Sequence, residues 1–127
     1  MRLLLDTHAL LWWLNADPAL PRFTRRAIRD SADVLVSAAS VWEIATKFRL
    51  GRLPTAPDLL RDVHGYLARD RFTSLPVSVE HGLRAGLLPG PHRDPFDRML
   101  AAQAQTENLT IVSKDDVFDH YGVRRIW

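Results

Sequence analysis

The chain contains no cysteine. That absence excludes a disulfide framework, a thiol nucleophile and any thiolate-held zinc or iron–sulfur centre. Lysine is scarce as well: of 17 basic residues only Lys47 and Lys114 are lysines, and fifteen are arginines. Long apolar runs are missing too. Crossing a bilayer takes about 20 consecutive apolar residues, and no stretch approaches that. The opening Met1-Arg2-Leu3-Leu4-Leu5 breaks at Asp6, too early for the apolar core of a signal peptide. Repeats and low-complexity segments are lacking. A cytoplasmic protein with no membrane partner is the expectation.

What is present is 127 residues, 46% hydrophobic and 25% charged. That is enough apolar mass for one compact domain over 1–127 and too little chain for two. Seventeen bases against 15 acids give a formal charge of +2, which says little about partners. The preference for Arg admits two readings: its planar fork suits phosphate oxygens better than an ammonium does, and a general bias toward Arg over Lys yields the same count.

Residues 2–6 read as a short buried strand, and Thr7 opens an apolar helix through Leu14. Asp17-Pro18 breaks it, and a second helix is expected over Pro21–Arg29. Asp33–Val36 reads as a second strand, followed by a helix from Ala38 to Leu50 that Gly51 stops. Pro54 and Pro57 frame a connection to a helix over Asp58–Arg69. Phe72–Val79 is extended around Pro76, a short helix ends near Leu88, and Pro89-Gly90-Pro91 is a rigid loop. Asp94-Pro95 starts a helix reaching Thr106, Leu109–Val112 is a further buried strand, and Val123–Trp127 is a last one. Strands alternating with helices predict an α/β fold, a three-layer α/β/α sandwich with a mainly parallel central sheet.

Open α/β sheets bind ligands where strands end and helices begin, and four acids fall on such positions. Asp6 ends the first strand; capping the next helix is its other possible role. Asp115 lies three residues past Val112, where a turn role is equally open and Asp116 competes for it. On the helix from Ala38, the residues Val41, Ile44, Ala45 and Phe48 form one apolar stripe. Glu43 falls opposite, among Ala39, Thr46 and Leu50, so its charge is partly buried and calls for a partner, either a metal ion or an Arg. Asp97 is the third residue of the helix opened by Asp94-Pro95. An acid there is good helix-start chemistry, yet the small residues beside it, Ala101 and Ala104, let another element approach. Asp94 suits the cap, and Asp97 a site. In a parallel topology Asp6, Asp97 and Asp115 share one edge. Hard oxygen donors without cysteine suit Mg²⁺ or Mn²⁺, and acids holding such an ion activate water for phosphodiester cleavage.

Four segments, in order and over essentially the whole length, resemble the motifs of PIN-domain ribonucleases of the VapC type, the toxin half of a toxin–antitoxin pair. They are Leu3-Leu4-Leu5-Asp6-Thr7-His8-Ala9, then Ser37-Ala38-Ala39-Ser40-Val41-Trp42-Glu43-Ile44, then Asp94-Pro95-Phe96-Asp97-Arg98-Met99-Leu100-Ala101-Ala102-Gln103-Ala104, and Val112-Ser113-Lys114-Asp115. The resemblance implies a Mg²⁺-dependent endoribonuclease, with Mn²⁺ as a substitute ion, whose metal site is Asp6, Glu43, Asp97 and Asp115. It also implies a homodimer held inactive by a cognate antitoxin, which can carry a higher assembly onto DNA. The spacing from Ser113 favours Asp115 over Asp116. With those four acids neutralised by metal, 17 bases face the remaining 11 of the 15 acids.

Around this set, the hydroxyls of Thr7 and Ser113 are candidates to orient an acid, with local turn bonding as the alternative. Arg93 and Arg98 flank Asp97, where ion pairs or contact with a substrate phosphate are both open. His8, His64, His81, His92 and His120 show no ligand spacing and are expected to be structural or surface residues. Trp12, Trp13 and Trp42 suit core or dimer packing better than base stacking. Arg22, Arg25, Arg26 and Arg29 make a basic helix that suits solvent, RNA or an acidic antitoxin segment. Two rivals stand beside the nuclease. A phosphatase with a nucleophilic Asp is disfavoured because His8 stands where a second acid belongs, two residues after Asp6. A catalytically silent PIN-like module that binds RNA or a partner is the other.

Overall fold

A strand of consecutive leucines is apolar on both sides and is stable only with a layer packed on each face. The computed structural model, which describes residues 1–53 and 57–127, places that strand, β1 (Arg2–Leu5), at the centre of a five-stranded sheet. On one side lies β2 (Asp33–Ser37) and on the other β4 (Thr110–Val112), both parallel to β1, with Leu4 in register with Leu35 and Ile111. Beyond them β3 (Thr73–Leu75) pairs with β2 and β5 (Arg125–Ile126) with β4. The order is β3-β2-β1-β4-β5, every pair parallel.

Alternate strand residues face opposite sides. Leu3, Leu5, Val34, Val36 and Val112 point into one core. There they meet Leu10 of α1 (Thr7–Leu14), Ile28 of α2 (Arg22–Asp30) and Ile44 of α3 (Ala38–Arg49), together with Leu59 of α4 (Pro57–Arg61) and Leu67 of α5 (Val63–Arg69). Leu4, Leu35 and Ile111 point into the second core. This one is closed by Leu100, Ala101 and Ala104 of α7 (Pro95–Glu107) and by Phe118 of a 3-10 helix, Asp116–Tyr121. Helix α6 (Val79–Leu87) packs on α7. The result is the expected three-layer α/β/α sandwich.

Two local expectations need correction, one lies partly outside the described residues, and one element was not anticipated. The helix expected over Asp58–Arg69 is two helices, α4 and α5, separated at Asp62. Asp62 leaves the helical region (φ −152°, ψ 67°), and its side chain accepts the N–H of Gly65 at 3.0 Å to cap α5. Gly65 permits this close fold, because a Cβ there would lie 2.0 Å from the Asp62 carboxylate. The 3-10 helix was not anticipated: six residues are too few for a helical period to register. Of the prolines expected to frame a connection, Pro54 lies outside the described residues and Pro57 opens α4. Helix α7 ends one residue later than Thr106, at Glu107, where Asn108 takes the left-handed conformation (φ 55°) that closes the helix.

Leu4 is fully buried at the sheet's centre. Replacing it by alanine removes contacts on the α7 side without altering the strand, so Leu4→Ala is expected to cost about 3 kcal/mol of stability in urea unfolding. A loss below 1 kcal/mol would contradict this placement.

Candidate active site

With all strands parallel, their carboxyl ends share one edge. The chain path reverses at β1: β2 and β3 are laid down on one side of it, β4 and β5 on the other. A crevice at such a reversal is where open α/β sheets take ligands.

Asp6 follows β1 directly and is buried. Its Oδ1 accepts the Ala9 N–H at 2.7 Å, so it does cap α1, and its own N–H donates to the Val112 carbonyl at 3.1 Å. Burial pushes the Asp6 carboxyl above the usual carboxylate range. Hydrogen bonds from Ser113 and Ala9 and the field of His8 pull against that shift, and Glu43 adds to it. Ser113, just past β4 and fully buried, accepts the Asp115 N–H at 3.0 Å through the same hydroxyl that serves Asp6.

Glu43 hangs from α3, which starts at the carboxyl end of β2 and is capped by Ser37. It is buried, and both of its oxygens are engaged. The Thr7 hydroxyl donates to Oε1, and the Lys47 ammonium pairs with Oε2. Of the side chains weighed as partners for this charge, an arginine is not the one found. The partner is Lys47, one turn along the same helix. A Glu preceding a Lys by four residues is itself a pairing signal; the abundance of Arg concealed it. The Thr7 bond reaches across 36 residues and is therefore not a local turn contact.

Asp97 lies in the first turn of α7, set by Asp94, whose Oδ1 accepts the N–H groups of Phe96 (2.9 Å) and Asp97 (3.2 Å) while Pro95 occupies the first helical position. The Asp97 carboxyl is half-buried, and burial raises it to about 6. The His92 bond lowers it, while the charges of Asp94 and Glu43 raise it further. His92 Nε2 stands 3.0 Å from Asp97 Oδ2. The sequence reading missed this partner because His92 sits in an irregular Pro-Gly-Pro loop, where no periodicity links it to the acid.

Three of the four acids are linked electrostatically. The field of Glu43 reaches both Asp6 and Asp97. Asp115 stands apart: it is exposed, its Oδ1 accepts the Val117 N–H at 3.0 Å to start the 3-10 helix, and its charge acts on Arg125. Its tie to the others runs through Ser113. Asp116 is likewise exposed. Among the described residues, no three histidine, aspartate or glutamate side chains stand in the geometry of a metal site. The donor chemistry of Asp6, Glu43 and Asp97 nevertheless fits a small divalent cation. All are hard oxygen donors, and their burial and mutual repulsion are costs that a positive charge relieves.

The family model of the PIN domain matches residues 3–123. The chain belongs to the PIN-domain family. Family members are usually nucleases, and those nucleases typically use divalent metals. Among solved structures, the VapBC2 complex of Rickettsia felis bound to promoter DNA has a chain similar to this one at TM-score 0.73 and 16% identity, covering 99% of this chain and 98% of that one. DNA-bound VapBC of Salmonella typhimurium gives 0.66 at 18% identity, covering 99% and 97%. FitAcB of Neisseria gonorrhoeae gives 0.66 at 24%, covering 98% and 96%. At these identities the likeness is one of fold. No curated protein sequence matches the chain.

The remaining sequence candidates occupy definite places on this PIN domain. Among the described residues Arg98 forms no ion pair. Its guanidinium donates to the carbonyls of Ala85 (3.1 Å), His92 (3.0 Å) and Leu88, clamping the end of α6 and the loop behind the start of α7. It therefore positions the segment that carries Asp97. Arg93 is exposed and makes no polar contact among the described residues. Trp12 and Trp13 pack against the core, and Arg25 lies over the Trp13 ring at 5.5 Å. Trp42 is exposed and meets Phe96 edge to face at 4.9 Å.

The raised Asp97 carboxyl fixes the sign of a pH effect. A group whose pKa is higher folded than unfolded contributes stability below its unfolded value, near 3.8, and loses it as pH rises through about 6. In EDTA, the stability of the wild type relative to Asp97→Asn is therefore expected to fall by on the order of 2 kcal/mol between pH 4 and 7. Denaturant unfolding of both proteins across that range measures it, and a difference independent of pH would refute it.

Proposed function

We propose that this PIN domain, one unit over residues 1–127, is a Mg²⁺-dependent endoribonuclease and the toxin of a toxin–antitoxin pair. The observation that carries the reading is the meeting of Asp6, Glu43 and Asp97 at the carboxyl edge, with Glu43 raising the proton affinity of the other two. Asp6 and Asp97 would hold the ion, with Glu43 beside them and Asp115 in the fourth position at the exposed rim. Bound there, Mg²⁺ (or Mn²⁺) supplies a Lewis acid that polarises the scissile phosphate and lowers the pKa of the attacking water. The chain's own groups keep the donors in place. Thr7 and Lys47 fix the two oxygens of Glu43, Ser113 ties Asp6 to the turn that carries Asp115, and His92 steadies Asp97. Arg93, exposed and without a polar contact among the described residues, would meet an RNA phosphate, and hydrolysis would leave a 5′-phosphate and a 3′-hydroxyl.

The VapBC complexes of Rickettsia felis and Salmonella typhimurium, both bound to DNA, support an antitoxin as partner and assembly on DNA through the antitoxin, and a homodimer belongs to the same proposal. The exposed Arg22, Arg26 and Arg29 of α2 offer a basic face to RNA or to an acidic antitoxin segment. A place in the cytoplasm belongs to the same proposal; among the described residues, no helix is long and apolar enough to cross a membrane. Two observations favour the rival, a catalytically silent RNA- or partner-binding module: among the described residues the three acids do not stand in metal-site geometry, and Lys47 occupies Glu43.

A quenched RNA substrate separates the two readings. Cleavage is expected with Mg²⁺ or Mn²⁺ and not in EDTA, and Asp6→Ala and Asp97→Asn should each lower the rate at least about 100-fold. Mg²⁺ should also raise the Tm of the wild type and leave that of Asp97→Asn nearly unchanged. Wild-type cleavage by Asp97→Asn would sink the assignment, and no cleavage under any metal would favour the silent module.

A further inference from the structure

Lysine is rare in this chain, two residues against fifteen arginines, and one of the two is bonded to a buried acid of the candidate site. The Lys47 ammonium pairs with Glu43 Oε2 across one turn of α3. The spacing is that of an ordinary helix pair, but the surroundings are not. Ordinary pairs of this kind join two solvated side chains on an exposed face and contribute little. Here the Glu43 side chain is 6% exposed and the Lys47 side chain 32%, so a buried carboxylate is answered by a cation whose stem leads out to water. Among the described residues Lys47 pairs with no other acid.

The two donors on Glu43 differ in what they permit. A carboxylate oxygen carries two lone pairs, so the neutral Thr7 hydroxyl can stay on Oε1 while a cation approaches the same group. The ammonium on Oε2 cannot stay, because it repels a second positive charge. The residue type matters as well. A guanidinium would grip both oxygens in a planar fork, whereas an ammonium is a point charge on a flexible four-carbon stem, free to turn back to water. In a chain that uses Arg at almost every other basic position, a releasable cation stands at the site.

We infer that Lys47 is the resident counter-ion of the candidate metal site: it holds the Glu43 carboxylate while no metal is bound, gives up Oε2 when a divalent cation enters, and so sets the affinity for that cation. This role rests on the metal-dependent reading given above and deepens it. Lys47 acts through Glu43 and is a positioning residue. Without it, Glu43 would be a buried charge with no charged partner, and the domain would depend on metal for its stability. One ammonium answers Glu43 alone, and a divalent ion answers several carboxylates at once, so exchange runs toward metal. The pairing that favours a silent module is then the resting state of a working site.

The test is Mg²⁺ binding by the full chain without RNA, followed by calorimetric titration and by the rise of Tm above its value in EDTA. Lys47→Met removes the charge and keeps most of the stem, Lys47→Gln keeps a hydrogen-bond donor without charge, and Lys47→Arg keeps the charge. Arg49→Met removes the same charge from an exposed position on the same helix. Lys47→Met and Lys47→Gln are expected to bind Mg²⁺ at least about tenfold more tightly than the wild type, to melt lower in EDTA and to gain more from Mg²⁺. Lys47→Arg should bind no more tightly than the wild type, and Arg49→Met should stay within about twofold of it, its charge being screened by solvent. A merely structural pair would lower Tm equally in EDTA and in Mg²⁺; that result, or binding unchanged or weakened in the uncharged variants, overturns the inference. Uncharged variants that fold only with Mg²⁺ uphold it, and variants unfolded in both media overturn it. If neither the wild type nor any variant binds Mg²⁺, the metal-dependent reading falls and takes this role with it. RNA cleavage by the wild type, together with equal Mg²⁺ affinity across the variants, leaves that reading standing and removes Lys47 from it.

Discussion

Everything in this molecule follows from one strand that must be buried on both faces and that ends on a charge. Leu3, Leu4 and Leu5 demand a layer of helices above and below, and parallel neighbours on each side extend the sheet without exposing β1. Asp6 is the next residue. Its carboxylate is carried into a low-dielectric edge by leucines that have nowhere else to go. The strand that organises the core therefore also creates the electrostatic problem at its end.

Each neighbouring element supplies part of the answer. Backbone N–H groups of α1 and the Ser113 hydroxyl hold Asp6, Lys47 and Thr7 hold Glu43, and His92 holds Asp97. These contacts reduce the cost without removing it, which is why Asp6 and Asp97 still hold their protons more tightly than free carboxylates. A divalent cation is a better solution chemically, because one ion answers several carboxylates at once. The net charge of +2 conceals this division between an acidic crevice and a surface rich in Arg.

Much of the fold was legible in the residues. Leucine and valine runs marked β1, β2 and β4, and helix starts at Thr7, Ala38 and Pro95 followed from strand ends and from the Asp94-Pro95 cap. Where the reading failed, the deciding contact was a side chain against a nearby backbone. Asp62 folded over Gly65 and divided a helix, and six residues after Asp115 closed into a 3-10 turn. Propensity reports the average preference of a stretch and cannot see a single cap of that kind.

For the site, sequence by itself determined which residue types stand at strand ends and helix starts, since burial pattern and capping chemistry are local properties. It thereby located Asp6, Glu43 and Asp97 as candidates. Only the tertiary structure decided which charges answer them. Lys47 rather than an arginine pairs with Glu43, His92 reaches Asp97 from an irregular loop, Arg98 turns inward to carbonyls, and Asp115 faces water. Those outcomes depend on distances between segments far apart in the chain. The Coulomb and hydrogen-bond terms that select a partner fall off within a few ångströms, a scale that residue order does not encode.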